Sequence, residues 1–222
     1  MSSVHISSQN KIKINKIIDS AKERGSKILV YDALRILKLA GASVVDSFLA
    51  LNSQEIIVFA SQIEPPIVLK KIEYDKLPDS GIETYMDIKT AIEALDIALK
   101  DKELIEGTCF LIQEKAPKDL KLKVICDENE LRLEDVKNGS QIILPPDLNI
   151  EKLISQKDTL KTFLSSSTNA DNYDIKALGM LLLIISSIKM SFETIAKIEV
   201  TSFYLYREGL GYIITDAFIF LK

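Results

Sequence analysis

The stretch IAKIEVTSFYLYREGLGYIITDAFIFL, residues 195–221, contains two long β-strand patterns separated by a short polar segment. Both patterns are rich in β-branched and aromatic residues, which are typical of strands. Gly209 and Gly211 lie in the polar segment and can adopt the left-handed backbone conformations that a tight reversal requires. The stretch therefore predicts an antiparallel hairpin between strands at Ile198–Tyr206 and Tyr212–Leu221.

The rest of the chain predicts a mixture of strands and helices, because short apolar runs alternate with longer stretches of helical periodicity. The predicted strands are Val44–Leu51, Pro66–Ile72, Glu83–Met86, Thr108–Gln113, Leu120–Cys126 and Gln141–Leu144. The predicted helices are Asn10–Arg24, Tyr31–Ala40, Ser53–Gln62, Lys89 to about Lys102, Asn149–Ser155, Asp158–Leu164 and Asp174–Met190. This order indicates an α+β fold.

The composition is that of an ordinary globular chain. Its 222 residues suffice for one large domain or two small lobes, and 28 basic against 32 acidic side chains give a net charge of −4. An excess of acids disfavours binding to nucleic acid. The apolar run Met180–Ile185 is far too short to span a bilayer, and the N-terminal residues lack the pattern of a secretory signal. We therefore expect a cytoplasmic protein without nucleic-acid or membrane partners.

Three residues limit the available chemistry. His5 is the only histidine, and Cys109 and Cys126 are the only cysteines. They cannot supply a Cys/His zinc site or a disulfide framework. A nucleophilic mechanism with a histidine base would have to use His5, which lies in a polar tail. Both cysteines fall on predicted strands, so we expect core residues rather than a redox pair.

Four strings of sequence, in their order and spacing, resemble one family. They are ALRILKLAGASVVDSFLALNSQEIIVFASQIEPPIVLKKI (33–72), TAIEALDIALK (90–100), FLIQEKAPKDLKLKVICDEN (110–129) and the hairpin stretch 195–221. Together they resemble the ATP-grasp β subunit of nucleoside-diphosphate-forming acyl-CoA synthetases, such as succinyl-CoA synthetase and the archaeal ADP-forming acetyl-CoA synthetases. The resemblance covers nearly the whole chain.

The resemblance implies an ATP-grasp-like α+β fold of two lobes, each with a mostly antiparallel sheet and packed helices. It divides the chain into an N-terminal tail and helix (1–25), a first lobe (26–113) and a second lobe (114–222). Such enzymes clamp ATP between the lobes, and the CoA ligases pass its γ-phosphoryl group through a phosphohistidine. Phosphoryl transfer depends on positioning and charge neutralisation, so the site needs cations, metal ligands and close backbone approach to phosphate.

Three residues match the family's nucleotide-binding positions. Lys70 matches the lysine that ends the strand after the proline pair and contacts the α and β phosphates. Gln113 and Glu114 match the hinge, where a strand end meets adenine and ribose through backbone groups and an acid. By themselves, these residues are more typical of the solvated end of a strand than of a nucleotide site.

Two further residues match the family's magnesium site, and a third, Thr201, occupies the position of one of its ligands. Asp216 matches the metal-binding aspartate near the C-terminus, and Glu199 matches the acid that opens an acid-x-Asn-Pro motif. In this chain Thr201 replaces the asparagine ligand and Ser202 replaces the proline. A threonine hydroxyl is a shorter and weaker ligand than an amide oxygen, so the resemblance implies a weakened magnesium site.

Other phosphate-binding positions depart from the family. In the loop Asp75–Gly81, Pro78 stands where the family has its histidine, and Glu83 and Thr84 follow where it has two glycines. A carboxylate that lies 5 Å from a phosphate charge, at an effective dielectric constant of about 20, adds roughly 3 kcal/mol of electrostatic repulsion. In DENELRLEDVKNGSQIILPP, the glycine-rich loop is missing and Ile142 replaces an arginine. That segment keeps only Lys137, Ser140 and Pro145 of the matching residues.

These patterns leave three hypotheses open. The first is a degenerate ATP-grasp subunit without phosphoryl transfer that acts as a binding or regulatory partner of a CoA-binding α-type subunit, or of a second copy of itself. The second is an active ATP-dependent acyl-CoA ligase subunit with a divergent nucleotide site, which would use ATP and Mg²⁺. The third is an unrelated two-lobe α+β module. We favour the first hypothesis, because the phosphate-binding positions are lost together while the apolar pattern is kept.

Overall fold

The computed structural model has a mixed α/β fold with two antiparallel sheets. Its contacts divide the chain into two compact units. The smaller unit is residues 45–116, and the larger unit combines residues 1–44 with residues 117–222. The structure describes residues 5–50, 53–73, 82–85, 89, 90, 93, 108–167 and 172–222.

The larger unit contains a six-stranded sheet with the order β1-β10-β9-β6-β7-β8. Its strands are β1 (Ile28–Leu29), β6 (Leu120–Cys126), β7 (Leu131–Asp135), β8 (Gln141–Leu144), β9 (Ile195–Leu205) and β10 (Tyr212–Leu221). Its helices are α1 (Ser8–Glu23), α2 (Tyr31–Leu39), α4 (Ile150–Ser155), α5 (Lys157–Ser167) and α6 (Ile175–Ser191). Within the residues that the structure describes, no helix combines the length and the apolar character that a membrane crossing requires.

The smaller unit contains a four-stranded sheet with the order β2-β5-β3-β4. Its elements are β2 (Ser47–Ala50), α3 (Ser53–Ala60), β3 (Ile67–Glu73), β4 (Ile82–Tyr85) and β5 (Thr108–Glu114). Helix α3 covers one face of this sheet, where Ile67, Leu69 and Ile112 belong to the buried core. Phe48 and Phe59 stack at the edge of that core, with 4.9 Å between their ring centroids.

Helix α6 packs on the inner face of the six-stranded sheet, against β9 and β6. Residues along the whole length of α6 are buried, including Leu181, Leu182 and Ile185. The strands contribute every second side chain to this interface, because successive residues of a strand point to opposite faces. In β6, Leu122 and Val124 are fully buried, while Lys123 between them is partly exposed.

The carboxylate of Asp174 joins the β9–β10 turn to the start of α6. One of its oxygens caps the helix by accepting from the backbone N–H of Ala177 at 2.9 Å. The other accepts from the N–H groups of Gly209 at 3.0 Å and Gly211 at 3.2 Å. Asp174 is only 8% exposed, so these charge-assisted bonds lie largely out of water. One side chain therefore holds both the helix and the turn.

The structure confirms most of the predicted elements. The hairpin of residues 195–221 forms with its turn at Arg207–Gly211, and Leu120–Cys126, Gln141–Leu144 and Tyr212–Leu221 have the predicted bounds. Of the helix predicted at Lys89–Lys102, the described residues 89, 90 and 93 are helical, and the rest lies outside the described residues.

Two strands are absent from the predicted set. β7 has only two apolar residues, Leu131 and Leu133, and its pairing with β6 and β8 stabilises it as a strand. β1 has two residues and pairs with β10. Because β1 and α2 contact β10, residues 26–44 belong to the larger unit. This grouping differs from the predicted segmentation, which assigned them to a first lobe of residues 26–113.

We predict that Asp174→Ala lowers the free energy of unfolding by about 2 kcal/mol or more, since it removes a helix cap and two charge-assisted hydrogen bonds. Asp174→Asn keeps one acceptor oxygen and should cost less. Chemical denaturation measures both variants, and amide hydrogen exchange should accelerate at Gly209 and Gly211. Unchanged stability and unchanged exchange in Asp174→Ala would contradict this account of the turn.

Candidate functional site

The structure places the candidate nucleotide-binding residues at the β3–β5 pair of the smaller unit. Lys70 on β3 is 6% exposed, and Gln113 on β5 is 1% exposed. Gln113 lies directly opposite Val68, two residues before Lys70, so both polar side chains belong to the same face of the sheet. The opposite face of the sheet carries Ile67 and Leu69 of β3 and is covered by α3. A lysine and an amide that are both buried need specific polar partners. Their burial therefore differs from the exposure that the sequence also allowed, in which these residues would lie at a solvated strand end.

Glu114 ends β5 and its side chain is exposed. Its backbone N–H donates to the carbonyl oxygen of Asp46 at 3.2 Å, and the N–H of Lys115 donates to the carbonyl oxygen of Pro66 at 3.1 Å. Both donors are therefore used within the smaller unit. A nucleotide base bound at this strand end would have to use carbonyl oxygens or side chains instead.

In the larger unit, Glu199 lies on the outer face of β9, the face that α6 does not cover. Its carboxylate accepts from the ammonium group of Lys197 at 2.7 Å. The same ammonium lies 4.2 Å from the ring centroid of Phe220, which is opposite Lys197 in the sheet. The candidate metal ligand is therefore already neutralised by a cation that an aromatic ring holds in place.

Sequence reasoning did not identify Lys197 as part of this site. The predicted strand began at Ile198, one residue after Lys197, whereas the observed β9 begins at Ile195. Lys197 and Glu199 are two residues apart on that longer strand and therefore share a face. Phe220 could be paired with them only once the register of β9 and β10 was known.

Thr201 and Asp216 lie near each other where the register of the sheet is irregular. Asp216 is opposite Ser202, and the pairing of β10 with β9 shifts on both sides of it. The hydroxyl oxygen of Thr215 is 3.3 Å from the Asp216 carboxylate and 3.2 Å from the carbonyl oxygen of Ser202. Burial, and then the negative charge of Asp216, raise the pKa of the Tyr204 phenol. The Asp216 carboxylate therefore lies in a partly buried, polar environment.

The residues present do not fit the magnesium site that the resemblance implies. Mg²⁺ requires near-octahedral oxygen ligands and is usually held by carboxylates together with substrate phosphates. Here the Glu199 carboxylate faces an ammonium group, and a threonine replaces the amide ligand at position 201. Among the described residues, no three His, Cys, Asp or Glu side chains form a group that could hold a metal ion.

The other departures from the family fall partly outside the described residues. The loop Asp75–Gly81, including Pro78, is not described, and of Glu83 and Thr84 only the backbone in β4 is described. Ile142 lies in β8 opposite Leu133, and a turn at residues 136–138 lies between β7 and β8. The segment that lacks the family's glycine-rich loop is therefore an antiparallel hairpin.

Comparison with solved structures identifies the fold. The chain is similar to a dinucleotide-forming acetyl-coenzyme A synthetase 1 chain of Ca. Korarchaeum cryptofilum, solved with coenzyme A and Ca-AMPCP, at 20% identity and a TM-score of 0.80. That match covers 93% of this chain and 99% of the other. A chain from Pyrococcus horikoshii Ot3 matches at 17% identity and a TM-score of 0.75, over 94% of this chain and 97% of its own.

A RimK domain ATP-grasp protein of Sphaerobacter thermophilus matches more distantly. Its identity is 16% and its TM-score 0.50, over 84% of this chain and 55% of the other. No protein-family model and no curated protein matches the sequence. At these identities the likeness establishes the fold, which this chain shares with acetyl-coenzyme A synthetase and ATP-grasp chains. The coarse fold expected from the sequence is thereby confirmed.

Cys126 is a core residue, as the sequence predicted. It is fully buried on β6, and burial raises the pKa of its thiol to about 12, against the smaller opposing effect of the Lys189 charge. The side chain of Cys109 lies outside the described residues.

We predict that iodoacetamide does not modify Cys126 in the native protein at pH 8. With a pKa of about 12, the thiolate fraction is about one in ten thousand at that pH. Mass spectrometry of the peptide that contains Cys126 measures the modification, and the denatured chain is the positive control. Equal rates in the native and denatured chains would show that the thiol is accessible.

We further predict that Lys197→Gln increases the affinity for Mn²⁺ several-fold, because it removes the positive charge beside Glu199. Electron paramagnetic resonance of free Mn²⁺ measures the change. The double variant Lys197→Gln/Glu199→Gln is the control and should show no gain. An affinity that stays the same in the single variant would mean that the ion pair does not oppose metal binding.

Proposed function

We propose that the chain is an ATP-grasp subunit of the acyl-CoA synthetase type that has lost phosphoryl transfer and acts as a binding or regulatory partner. The likeness to an acetyl-coenzyme A synthetase chain, with a TM-score of 0.80, supports the subunit type. Pro78 in place of a histidine and Ile142 in place of an arginine support the loss of chemistry, since an aliphatic side chain offers no hydrogen-bond donors to a phosphate.

The observation that carries this proposal is the ion pair between Lys197 and Glu199 at 2.7 Å. In an ATP-grasp site of the family type, the acid at position 199 helps to hold Mg²⁺ against the phosphates. Here a lysine supplies the positive charge, but an ammonium group cannot coordinate phosphate oxygens and carboxylates together as a divalent cation does. Nucleotide could still be bound, while the stabilisation of the transferring phosphoryl group would be weak.

The partner in this proposal is a CoA-binding α-type subunit, with a second copy of this chain as the other choice. The acetyl-coenzyme A synthetase chain to which this fold is similar comes from a structure that contains coenzyme A. ATP and Mg²⁺ are the ligands that the fold type suggests, and the cytoplasm remains the predicted location. We keep Lys70, Gln113 and Glu114 as the proposed nucleotide residues.

The second candidate is an active ATP-dependent acyl-CoA ligase subunit with a divergent nucleotide site. The burial of Lys70 and Gln113 on one face of the β3–β5 pair favours it, because both residues match nucleotide-binding positions of the family. An active enzyme of this kind would use ATP and Mg²⁺, and it would have to hold the metal ion with ligands other than the set Glu199, Thr201 and Asp216 that the resemblance implies.

ADP formation from ATP distinguishes the two candidates. The purified chain, alone and with a CoA-binding α-type subunit, is incubated with Mg²⁺, CoA and a panel of short carboxylates. We expect no ADP above the buffer rate, because the metal ligands do not fit. Size-exclusion chromatography of the same mixtures should show a complex with that subunit or a dimer of this chain.

Lys70→Ala is the control for contaminating ATPase. ADP formation that depends on CoA and carboxylate and disappears in Lys70→Ala would establish the active ligase. If the chain remains a monomer and does not co-elute with the subunit, the proposed role as a binding partner is wrong.

A further inference from the structure

A cleft of about 680 Å³ lies between α1 and α2 in the larger unit. The two helices are antiparallel, because the Asn10 amide at the start of α1 donates to the carbonyl oxygen of Leu39 at 2.7 Å. At the other end, Arg24 lies 3.5 Å from Asp32. The cleft is lined by Lys13, Lys16, Ile17, Ser20, Arg24, Asp32, Arg35, Lys38 and Leu39.

The lining is strongly basic in a chain whose net charge is −4. Five of its side chains are cationic and one is a carboxylate. That carboxylate, Asp32, contacts Arg24 at 3.5 Å and Arg35 at 2.9 Å, which holds both guanidinium groups at one end of the cleft. The ammonium groups of Lys13 and Lys16 have no ion-pair partner within the described part of the chain. The cations repel one another, and an anion in the cleft would relieve that repulsion.

Helical periodicity explains why these cations face one cleft. Lys13, Lys16, Ser20 and Arg24 recur at intervals of three and four residues along α1, so they form one stripe. The stripe runs beside the buried face of Ile14, Ile18 and Ala21, which packs within the larger unit. Over eleven residues of helix the stripe is about 16 Å long.

We propose that this cleft binds a small molecule carrying two or more phosphate groups. Its volume is within the usual range for small-molecule sites. Arginine forks held by Asp32 suit the bidentate recognition of phosphate oxygens, and the two lysines supply further charge along the cleft. Ile17 and Leu39 add apolar surface for the rest of such a ligand. The density of five cations in one cleft favours a polyphosphate over an acidic peptide, whose carboxylates are singly charged and spread along a chain.

This inference goes beyond the proposed function, since the cleft includes none of the candidate nucleotide or metal residues. It remains valid if the chain proves to be an active ligase.

Isothermal titration with inorganic tripolyphosphate, at about 20 mM salt to limit screening, tests the cleft directly. The variant is Lys13→Gln/Lys16→Gln. The matched control is Lys11→Gln/Lys22→Gln, which removes the same charge from another face of the same helix. We expect the dissociation constant to rise about tenfold or more in the variant and less than about twofold in the control. Circular dichroism of all three proteins verifies that α1 still folds.

Competition by ADP and by CoA then shows whether a nucleotide or a CoA-type ligand supplies the phosphates. If neither ADP nor CoA competes while tripolyphosphate binding still requires Lys13 and Lys16, the ligand is a polyphosphate compound that contains no nucleoside. No binding of tripolyphosphate, or equal losses in variant and control, would overturn the proposal. Binding of poly-glutamate but not tripolyphosphate, with the same dependence on Lys13 and Lys16, would also overturn it in favour of an acidic peptide.

Discussion

Burial of one face of the six-stranded sheet against α6 determines which side chains of β9 are available for binding. Ile198 and Val200 point into the core and are fully buried. Because strand residues alternate between faces, Lys197 and Glu199 must lie together on the outer face. A slip of one residue would put both charges into the core, so the hydrophobic effect fixes the register strongly. Asp174 adds a second constraint by holding the turn that joins β9 to β10.

Much of this arrangement could be predicted from the sequence, because local patterns decide it. The hairpin of β9 and β10 and the apolar helix α6 have strong signals of period and turn chemistry. The contact of Asp174 with Gly209 joins residues that are 35 positions apart, and no local pattern encodes it. β7 was absent from the prediction, since Leu131 and Leu133 alternate with charged residues over only five positions.

The candidate site was predictable only in part. The resemblance to the acyl-CoA synthetase family identified Glu199 and Asp216, but the pairing of Glu199 with Lys197, and of Lys197 with Phe220, depends on side-chain geometry across two strands. The basic cleft between α1 and α2 depends on how two helices lie side by side. Together these features belong to a fold shared with acetyl-coenzyme A synthetase chains, and in this chain Lys197 pairs with Glu199. Five of the 28 lysine and arginine side chains of the chain line the helical cleft.

A crystal structure grown with Mn²⁺ and a non-hydrolysable ATP analogue tests the central claim most directly, because anomalous scattering locates the metal without assumptions. We expect the Lys197 ammonium to stay hydrogen-bonded to Glu199, with no Mn²⁺ bound by Glu199 and Asp216. A strong anomalous peak coordinated by both carboxylates, with Lys197 displaced toward solvent, would contradict the account and restore a functioning metal site.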